Sequence, residues 1–408
     1  MNVILSRRSA GIHPSASIAA KALVTTLREQ GRDIVDLTLG EPDLDTPAPV
    51  LDAAMRAMRD GDTHYTASNG TPALRAAVCE KLFRDNALSY RPSQVVIGCG
   101  AKQLIHTAFA ATLDEGDEVI VPAPYWVSYP EMAALAGGVP VVVACSEANG
   151  FKLTPEDLEE AITPRTRWLV LNSPNNPTGA VYSAAELVAL IAVLRRHTHV
   201  WLMTDEIYEH LVYDGVRAAS AAALDEEICA RCLTVNGVSK AYAMTGWRVG
   251  YAAGPADLIA AITKLVAQST TCTSSVSQAA AAAALTGDQS FVRDAAALYG
   301  SRRDRMMECL AGIEGFGCRK PQGAFYLFPS VAGLIGRRCA DGRVIASDQD
   351  IEHYLIEAAG VVGLAGSAYG LSPYLRLSFA TSLETIECGC ERIAAACAAL
   401  SPATGPVS

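Results

Sequence analysis

The strongest constraint on the fold is a regular alternation of short β-rich runs and helical segments between Val95 and Ala253. This alternation is typical of βα units around a mostly parallel sheet. We expect seven strands, at residues 95–98, 118–121, 139–144, 167–172, 199–204, 232–236 and 249–253. Helices are expected near 101–112, 127–136, 183–196 and 255–267. Sheets of this kind bind ligands beyond the carboxyl ends of their strands.

A smaller α/β unit is expected in the C-terminal third, after a long helix at about 288–313. Its strands are expected at 325–328, 361–364 and 374–379, with helices at 348–359 and 383–399. At 408 residues the chain is longer than one typical core supports, which favours two domains. Half of the residues are hydrophobic and 19% are charged, so a disordered chain is excluded.

The charge balance argues against polyanionic partners. The 33 basic and 43 acidic residues give a net charge of -10, so no general field attracts nucleic acid or acidic lipid. The first residues hold two arginines but no apolar signal region, and no apolar run reaches ~20 residues. We therefore expect a cytoplasmic protein. The twelve cysteines are expected to be reduced, and the seven histidines form no metal-binding pattern, so no metal is expected.

Lys240 is the residue with the clearest chemical implication. It follows an apolar strand and lies among small and aromatic residues, where poor solvation lowers the pKa of an amine toward the range in which it attacks a carbonyl. Ser239 and Arg248 supply a hydroxyl and a fixed charge that hold phosphate well. An amine beside a phosphate clamp suggests pyridoxal 5'-phosphate (PLP). The alternative is an ordinary loop lysine at a strand end.

A second anion-binding feature follows the first of these strands. The segment Gly98-Cys-Gly-Ala-Lys-Gln103 opens a helix, so the amides of Ala101 and Lys102 would face a bound phosphate. A lysine in a first helical turn opposes the helix dipole by ~0.3 to 1 kcal/mol unless an anion compensates it. Lys102 therefore suggests an anionic ligand, although a lysine extending into solvent explains it equally well.

Further candidates follow other strands. Trp126 could stack on a heteroaromatic ring, or it could be a core residue. The segment Asn172–Gly179 holds amides that can donate to an oxygen, and Asp205 could pair with a protonated ring nitrogen. Tyr208 lies three residues further on and can reach the same side. The alternative for this strand end is a solvated acidic terminus.

Three more residues have weaker signals. Gly40, in a Gly/Pro-rich loop, allows close approach of the backbone to another group. An arginine fork at Arg376, on an alternating strand, could hold a carboxylate bidentately, or the residue could protect a sheet edge. Tyr65 lies in a turn-rich segment, and these residues alone favour a surface position.

Taken together, these motifs resemble the class I aminotransferases of PLP fold type I, and most closely the bacterial aspartate aminotransferase branch. The resemblance runs from about Ser6 to the last helix. Its specificity comes from the joint order and spacing of the motifs, which are Tyr65, Gly100-Ala-Lys102, Trp126, Asn175-Asn-Pro-Thr-Gly179, Asp205-Glu-Ile-Tyr208, Ser239-Lys240, Arg248 and Arg376-Leu-Ser378.

The resemblance implies a role for each matching position. Lys240 would form the internal aldimine and act as general base, and Asp205 would pair with the pyridine nitrogen. Tyr208 and Asn176 would bond the ring oxygen. The remaining implied contacts are stacking by Trp126, phosphate binding by Gly100, Ala101, Lys102, Ser239 and Arg248, and α-carboxylate binding by Gly40, Asn176 and Arg376, with Trp126 also against the substrate.

The resemblance also implies substrates, partners and domains. Lys102, with Ser15 and Ser17, would read the second carboxylate of a dicarboxylic amino acid, and Tyr65 would reach the neighbouring site of a homodimer. Substrates would be L-amino acids, aspartate or glutamate first, and 2-oxo acids such as 2-oxoglutarate. Residues 1–45 would pack with the small domain, 46–287 would form the large PLP-binding domain, and 288–408 would form the small α/β domain.

Two positions depart from the family pattern. Ala101 stands where close relatives often have glycine. His13 stands where members that also aminate prephenate tend to carry lysine, so prephenate activity stays open. The alternatives are an aminotransferase of this fold for aromatic or specialised substrates, and a PLP lyase or synthase. A non-catalytic regulator of the same fold is the third, and it would be expected to carry an N-terminal DNA-binding extension.

Overall fold

The computed structural model describes residue 6, residues 10–14 and residues 16–402, without the side chain of residue 17. The helices of this part are α1 (Ala16–Glu29), α2 (Ala48–Arg59), α3 (Pro72–Asn86), α4 (Ala101–Thr112), α5 (Ser128–Leu135), α6 (Pro155–Ala161), α7 (Ala184–Leu194), α8 (Glu226–Cys229), α9 (Ala256–Ser269), α10 (Ser275–Thr286), α11 (Ser290–Ala311), α12 (Asp348–Ala359) and α13 (Leu383–Ala398).

The strands are β1 (Val35–Asp36), β2 (Val95–Gly98), β3 (Glu118–Ala123), β4 (Val139–Ala144), β5 (Thr166–Asn172), β6 (Trp201–Asp205), β7 (Cys232–Gly237), β8 (Gly250–Ala253), β9 (Tyr326–Leu327), β10 (Val361–Val362), β11 (Leu364–Ala365) and β12 (Leu375–Ser378). Each of the seven strands expected between Val95 and Ala253 is confirmed within a few residues.

The large sheet has seven strands in the order β2-β8-β7-β6-β5-β3-β4. Strands β3 to β7 pair in parallel, whereas β8 is antiparallel to both β2 and β7. Valine, isoleucine and leucine fill both faces of the central strands, because helices cover the sheet on either side. Its parallel strands β5, β6 and β7 therefore end at one edge, where loops can carry polar side chains.

The C-terminal part has two small sheets. Strands β11, β12 and β9 form an antiparallel sheet, and β10 pairs in parallel with β1. The single strand expected at 361–364 is wrong, because it divides at Gly363 into β10 and β11. A Cβ atom at Gly363 would lie 2.7 Å from Leu377 Cδ2, so the backbone packs closely against β12 at this point.

Helix α1 packs on this C-terminal part. Val24 and Leu27 form a buried cluster with Ile356 and Val362. This contact leaves the opposite side of α1 to face the carboxyl edge of the large sheet, while the division into domains at residues 45 and 287 stays a prediction. In the described part of the chain, no helix combines the length and apolar character that crossing a membrane requires.

Candidate active site

A cavity of about 590 Å³ lies at the carboxyl edge of the large sheet. Its floor comes from residues that follow β5, β6 and β7, and one side comes from the start of α4. The loop after β1 and helix α1 form another wall. The β strands thus deliver side chains that are distant in sequence to one place, as expected for a sheet of this topology.

Lys240 lies in this cavity, three residues after β7 ends. Its Nζ donates a hydrogen bond of 2.5 Å to the carbonyl oxygen of Gly40 and lies 5.8 Å from the ring centre of Tyr208. Burial lowers the pKa of Lys240 to about 8, although the Glu41 carboxylate opposes that shift. About a tenth of the amine is therefore uncharged near pH 7, and this is the form that a nucleophile or general base requires.

Asp205 is the last residue of β6, and it is buried. Its Oδ2 accepts a hydrogen bond of 2.6 Å from the Tyr129 hydroxyl, and its Oδ1 accepts one of 3.2 Å from the Ile207 amide. Burial raises the pKa of this carboxyl, and the bond from Tyr129 lowers it. A buried carboxyl group that lines a cavity is suited to pair with a cationic N–H of a ligand.

Two polar side chains surround the space between Asp205 and the far wall. The Tyr208 hydroxyl shares a hydrogen bond of 2.9 Å with the Tyr326 hydroxyl. The backbone amide of Asn176 donates to Asn172 Oδ1 over 2.8 Å, and Asn172 Nδ2 donates to the Asp205 carbonyl. Because Asn172 joins the ends of β5 and β6, it fixes the loop that presents the Asn176 side chain.

Arg376 comes from β12 and is only 1% exposed. Its Nη1 donates to Asn176 Oδ1 over 3.2 Å and its Nη2 donates to the Thr38 carbonyl over 2.6 Å. The guanidinium carbon lies 4.4 Å from the ring centre of Tyr326. Its Nε has no hydrogen-bond partner among the described residues. This buried cation has donor capacity left for a carboxylate ligand.

The start of α4 forms an anion cradle. Gly100 precedes the helix with φ 88° and ψ 160°, and no side chain caps the helix. The first-turn amides of a helix have no partner within it, so they can bind an anion. Arg248 faces this point, where a Cβ atom on Gly100 would come within 2.5 Å of its Nη2. The Arg248 guanidinium also donates to the carbonyls of Thr245 and Cys99.

Lys102 lies beside this cradle. Its Nζ is 4.7 Å from the ring centre of Trp126, within the range of a cation–π contact. Burial, together with the charge of Arg248, lowers the pKa of Lys102. Two cations and a helix N-terminus therefore meet at one end of the cavity, which favours an anionic ligand there.

A buried ionic cluster lies behind the strand end that carries Asp205. Lys81 from α3 forms an ion pair with Glu209, which also accepts a hydrogen bond of 2.6 Å from Asn236 Nδ2. Ser220 donates to Glu206 Oε1 over 2.8 Å. Burial, reinforced by the Glu209 charge, raises the pKa of Glu206 to about 8. In this turn, Asp205 and Tyr208 thus line the cavity, whereas Glu206 and Glu209 belong to the cluster.

The cavity brings together most of the residues that the sequence singles out, namely Gly40, Gly100, Ala101, Lys102, Trp126, Asn176, Asp205, Tyr208, Ser239, Lys240, Arg248 and Arg376. Tyr65 does not line it, and is 88% exposed in the single chain. Ser15 lies outside the described residues. Ser17 is in α1, but its side chain lies outside the description as well.

Sequence reasoning missed four contributors, which are Thr38, Glu41, Tyr129 and Tyr326. A usable signal existed for Tyr129, because it lies three residues after Trp126 and so on the same side of a helical turn. Glu41 directly follows the loop glycine already singled out. Thr38 contributes only its carbonyl oxygen, for which the amino-acid sequence carries no signal.

This chain is similar to known aminotransferases over nearly its whole length. The family model "Aminotransferase class I and II" matches residues 32–393. The aspartate/prephenate aminotransferase of Cereibacter sphaeroides is 49% identical over 97% of this chain and 99% of its own length. The aspartate aminotransferase of Rhizobium meliloti is 49% identical over 96% of this chain and 95% of its own.

Solved structures give the same result. The crystal structure of the aspartate aminotransferase from Rhizobium meliloti superposes with a TM-score of 0.96 at 48% identity, covering 98% of this chain and 100% of that one. The aspartate aminotransferase from Thermus thermophilus with maleate gives 0.91 at 43% identity, covering 97% and 100%.

Proposed function

We propose the reaction of this cavity from one premise: the chain belongs to the class I and II aminotransferase family. Its architecture is that of PLP fold type I, as the sequence predicts. The enzyme is an aminotransferase that moves an amino group from aspartate or glutamate to a 2-oxo acid such as 2-oxoglutarate. The observation that carries this conclusion is the meeting of Lys240, Asp205 and Arg376 around one cavity.

The residues of the cavity fit PLP. Ser239, Arg248 and the α4 amides would hold the phosphate, and the glycine at position 100 leaves the space that a phosphate needs beside Arg248. Asp205 would pair with the ring nitrogen, Tyr208 and Asn176 would bond the ring oxygen, and Trp126 would stack on the ring. When bound, PLP supplies a carbonyl carbon for the amine and a ring that accepts electrons.

The remaining chemistry belongs to side chains of this chain. The lowered pKa of Lys240 leaves part of its amine uncharged. That amine would remove the α-proton of the substrate and donate it to the carbon that takes up the amino group. Arg376 and Asn176, with the Gly40 backbone, would hold the α-carboxylate and so orient the Cα–H bond toward Lys240. The buried Tyr208 hydroxyl, with a raised pKa, stays protonated and can donate a hydrogen bond.

Aspartate is the preferred donor in this proposal. Relatives at 45–49% identity bear the name aspartate or aspartate/prephenate aminotransferase. The Thermus thermophilus relative is described with maleate, a dicarboxylate. Lys102 would read the second carboxylate here, together with Ser15 and Ser17.

The functional unit in this proposal is a homodimer. Tyr65 is 88% exposed, and the neighbouring helix α2 exposes Leu51, Met55 and Met58 by 41%, 39% and 51%. Such an apolar surface is typical of a protein interface. A second subunit covering it would bring Tyr65 to the partner's cavity.

A half-reaction with purified enzyme tests the proposal. Aspartate alone should change the visible absorbance of the bound cofactor and release a stoichiometric amount of oxaloacetate. Lys240→Ala should abolish turnover while some cofactor stays bound noncovalently, and Lys264→Ala, at an exposed position of α9, is the matched control. Continuous ammonia release without an oxo acid would instead indicate a lyase.

A further inference from the structure

Glu41 lies between three segments that border the cavity. It follows Gly40, whose carbonyl oxygen accepts the bond from Lys240. Its Oε2 accepts a hydrogen bond of 2.8 Å from the Thr245 hydroxyl, and its Oε1 contacts Lys21 Nζ at 3.4 Å. One carboxylate therefore joins helix α1, the loop after β1 and the segment that leads to Arg248.

The contact with Thr245 is the firmer of the two. The Lys21 side chain is 72% exposed, so its ion pair with Glu41 is weakened by solvent. The Thr245 carbonyl accepts a hydrogen bond of 2.9 Å from Arg248 Nη1. Thr245 thus connects Glu41 with the arginine of the anion cradle, three residues away.

Charge gives Glu41 a second connection with Lys240. Four charged groups face the Lys240 amine: Glu41 and Asp205 favour its protonated form, and Arg376 and Arg248 oppose it. Among these groups Glu41 has the largest influence on the pKa of Lys240. The hydrogen bond from Thr245 holds the pKa of Glu41 below its ordinary value, so the carboxylate is ionised at neutral pH.

We propose that Glu41 is a positioning residue, which fastens helix α1 and the Thr245–Arg248 segment across the cavity and sets the proton affinity of the nitrogen at Lys240. The inference rests on the proposed function, because that nitrogen is the one joined to PLP. Glu41 touches neither the substrate nor the reacting atoms in this proposal. It acts through the charge and placement of Lys240.

The test is a pH titration of the visible absorbance of the holoenzyme. Loss of a nearby negative charge disfavours protonation. Glu41→Gln should therefore lower the midpoint by about 0.5 to 1 pH unit, a threefold to tenfold loss of proton affinity. Glu41→Asp keeps the charge and should restore most of the midpoint. Glu29→Gln removes the same charge at the exposed far end of α1 and should leave the midpoint unchanged.

An unchanged midpoint in Glu41→Gln, with cofactor still bound, would overturn the proposal. If that variant fails to retain cofactor, Thr245→Val decides, because it removes the firmer of the two contacts that hold the Glu41 carboxylate in place. The midpoint should then fall, and an unchanged midpoint overturns the proposal. The wild-type half-reaction separates this question from the proposed function, since its failure would occur without any change at Glu41.

Discussion

At the scale of the residue, the cavity separates two cationic groups that serve different carboxylates. Arg376 is fully buried and fixed by Asn176 and the Thr38 carbonyl. Lys102 has a longer, flexible side chain against Trp126. A fixed fork suits the α-carboxylate that every amino acid carries, whereas a flexible point charge suits a group that only some substrates have.

Removal of the Lys102 charge should therefore change substrate preference. We expect Lys102→Ala to lower kcat/KM for aspartate and glutamate by about 10- to 100-fold, the loss of one charged hydrogen bond. The values for alanine and phenylalanine should change much less. A panel of donors with 2-oxoglutarate as acceptor measures this, with Lys264→Ala as control. An equal loss for all donors would show that Lys102 serves only the cofactor phosphate.

Single residues also show how far the site can be predicted from sequence. Lys240, Asp205 and Asn176 follow or end strands of the large sheet, so their gathering at its carboxyl edge could be predicted, whereas Arg376 comes from β12 of a separate small sheet. Which side chains form hydrogen bonds with these residues could not be predicted. Tyr129 and Asp205 are 76 residues apart, and such contacts depend on how helices pack on the sheet. The same limit hid Glu41, whose partner Thr245 lies 204 residues away.

At the scale of the element, helices and strands with an uninterrupted apolar pattern could be predicted from the sequence. Helices in which that pattern is interrupted or lacks contrast could not. The strands of the large sheet have continuous apolar runs between glycines and prolines. Helix α3 was missed because Lys81 lies on its buried face with Leu74 and Val78, which breaks the apolar pattern. Helix α10 is built largely of alanine, which provides no contrast between its two faces.

The start of α4 gives a prediction at this scale. Gly100 has backbone angles that are open almost only to glycine, and any Cβ there would meet Arg248. We expect Gly100→Ala to cost about 1 to 3 kcal/mol of stability and to weaken PLP binding at least tenfold. Equilibrium dialysis and thermal unfolding measure the two effects. Gly61→Ala, with φ 79° and no neighbour within 4 Å, should lose stability but bind PLP normally.

At the scale of the whole molecule, the buried cluster of Glu206, Glu209 and Lys81 makes stability depend on pH. Burial alone would raise the pKa of Glu209, but the Lys81 ammonium lowers it to about 2. Glu206 has the opposite shift, to about 8. A carboxyl with a raised pKa in the folded protein stabilises it fully below pH 4.5, and this contribution is lost as the pH rises to about 8.

We therefore expect Glu206→Gln to gain stability relative to wild type as the pH rises from 5.5 to 8.5, by on the order of 3 kcal/mol. The amide replaces the protonated carboxyl and does not titrate. Thermal unfolding of both proteins across this range measures the difference, and the other titrating groups cancel because they are common to both. Glu160→Gln, an exposed glutamate, should show no such trend. A constant difference would contradict the assignment.

Assembly gives the other prediction at this scale. If Tyr65 completes the partner's site, mixing Lys240→Ala with Tyr65→Ala should create hybrid dimers that have one complete site. Activity should return to about a quarter of wild type under statistical mixing. Mixing Lys240→Ala with Asp205→Ala should restore nothing, because both residues belong to the same cavity. A fully active Tyr65→Ala enzyme would contradict the dimer proposal.

Helix α1 supplies a wall of the cavity that is separate from the residues that carry out the reaction. The reacting groups stand on the sheet edge, while Ile18, Lys21, Ala22 and Thr25 face the cavity from a 14-residue helix that packs elsewhere on the molecule. Ile18, Ala22 and Thr25 can therefore be exchanged without replacing Lys240, Asp205 or Arg376. For directed evolution of substrate preference, these three positions form a compact library beside Lys102.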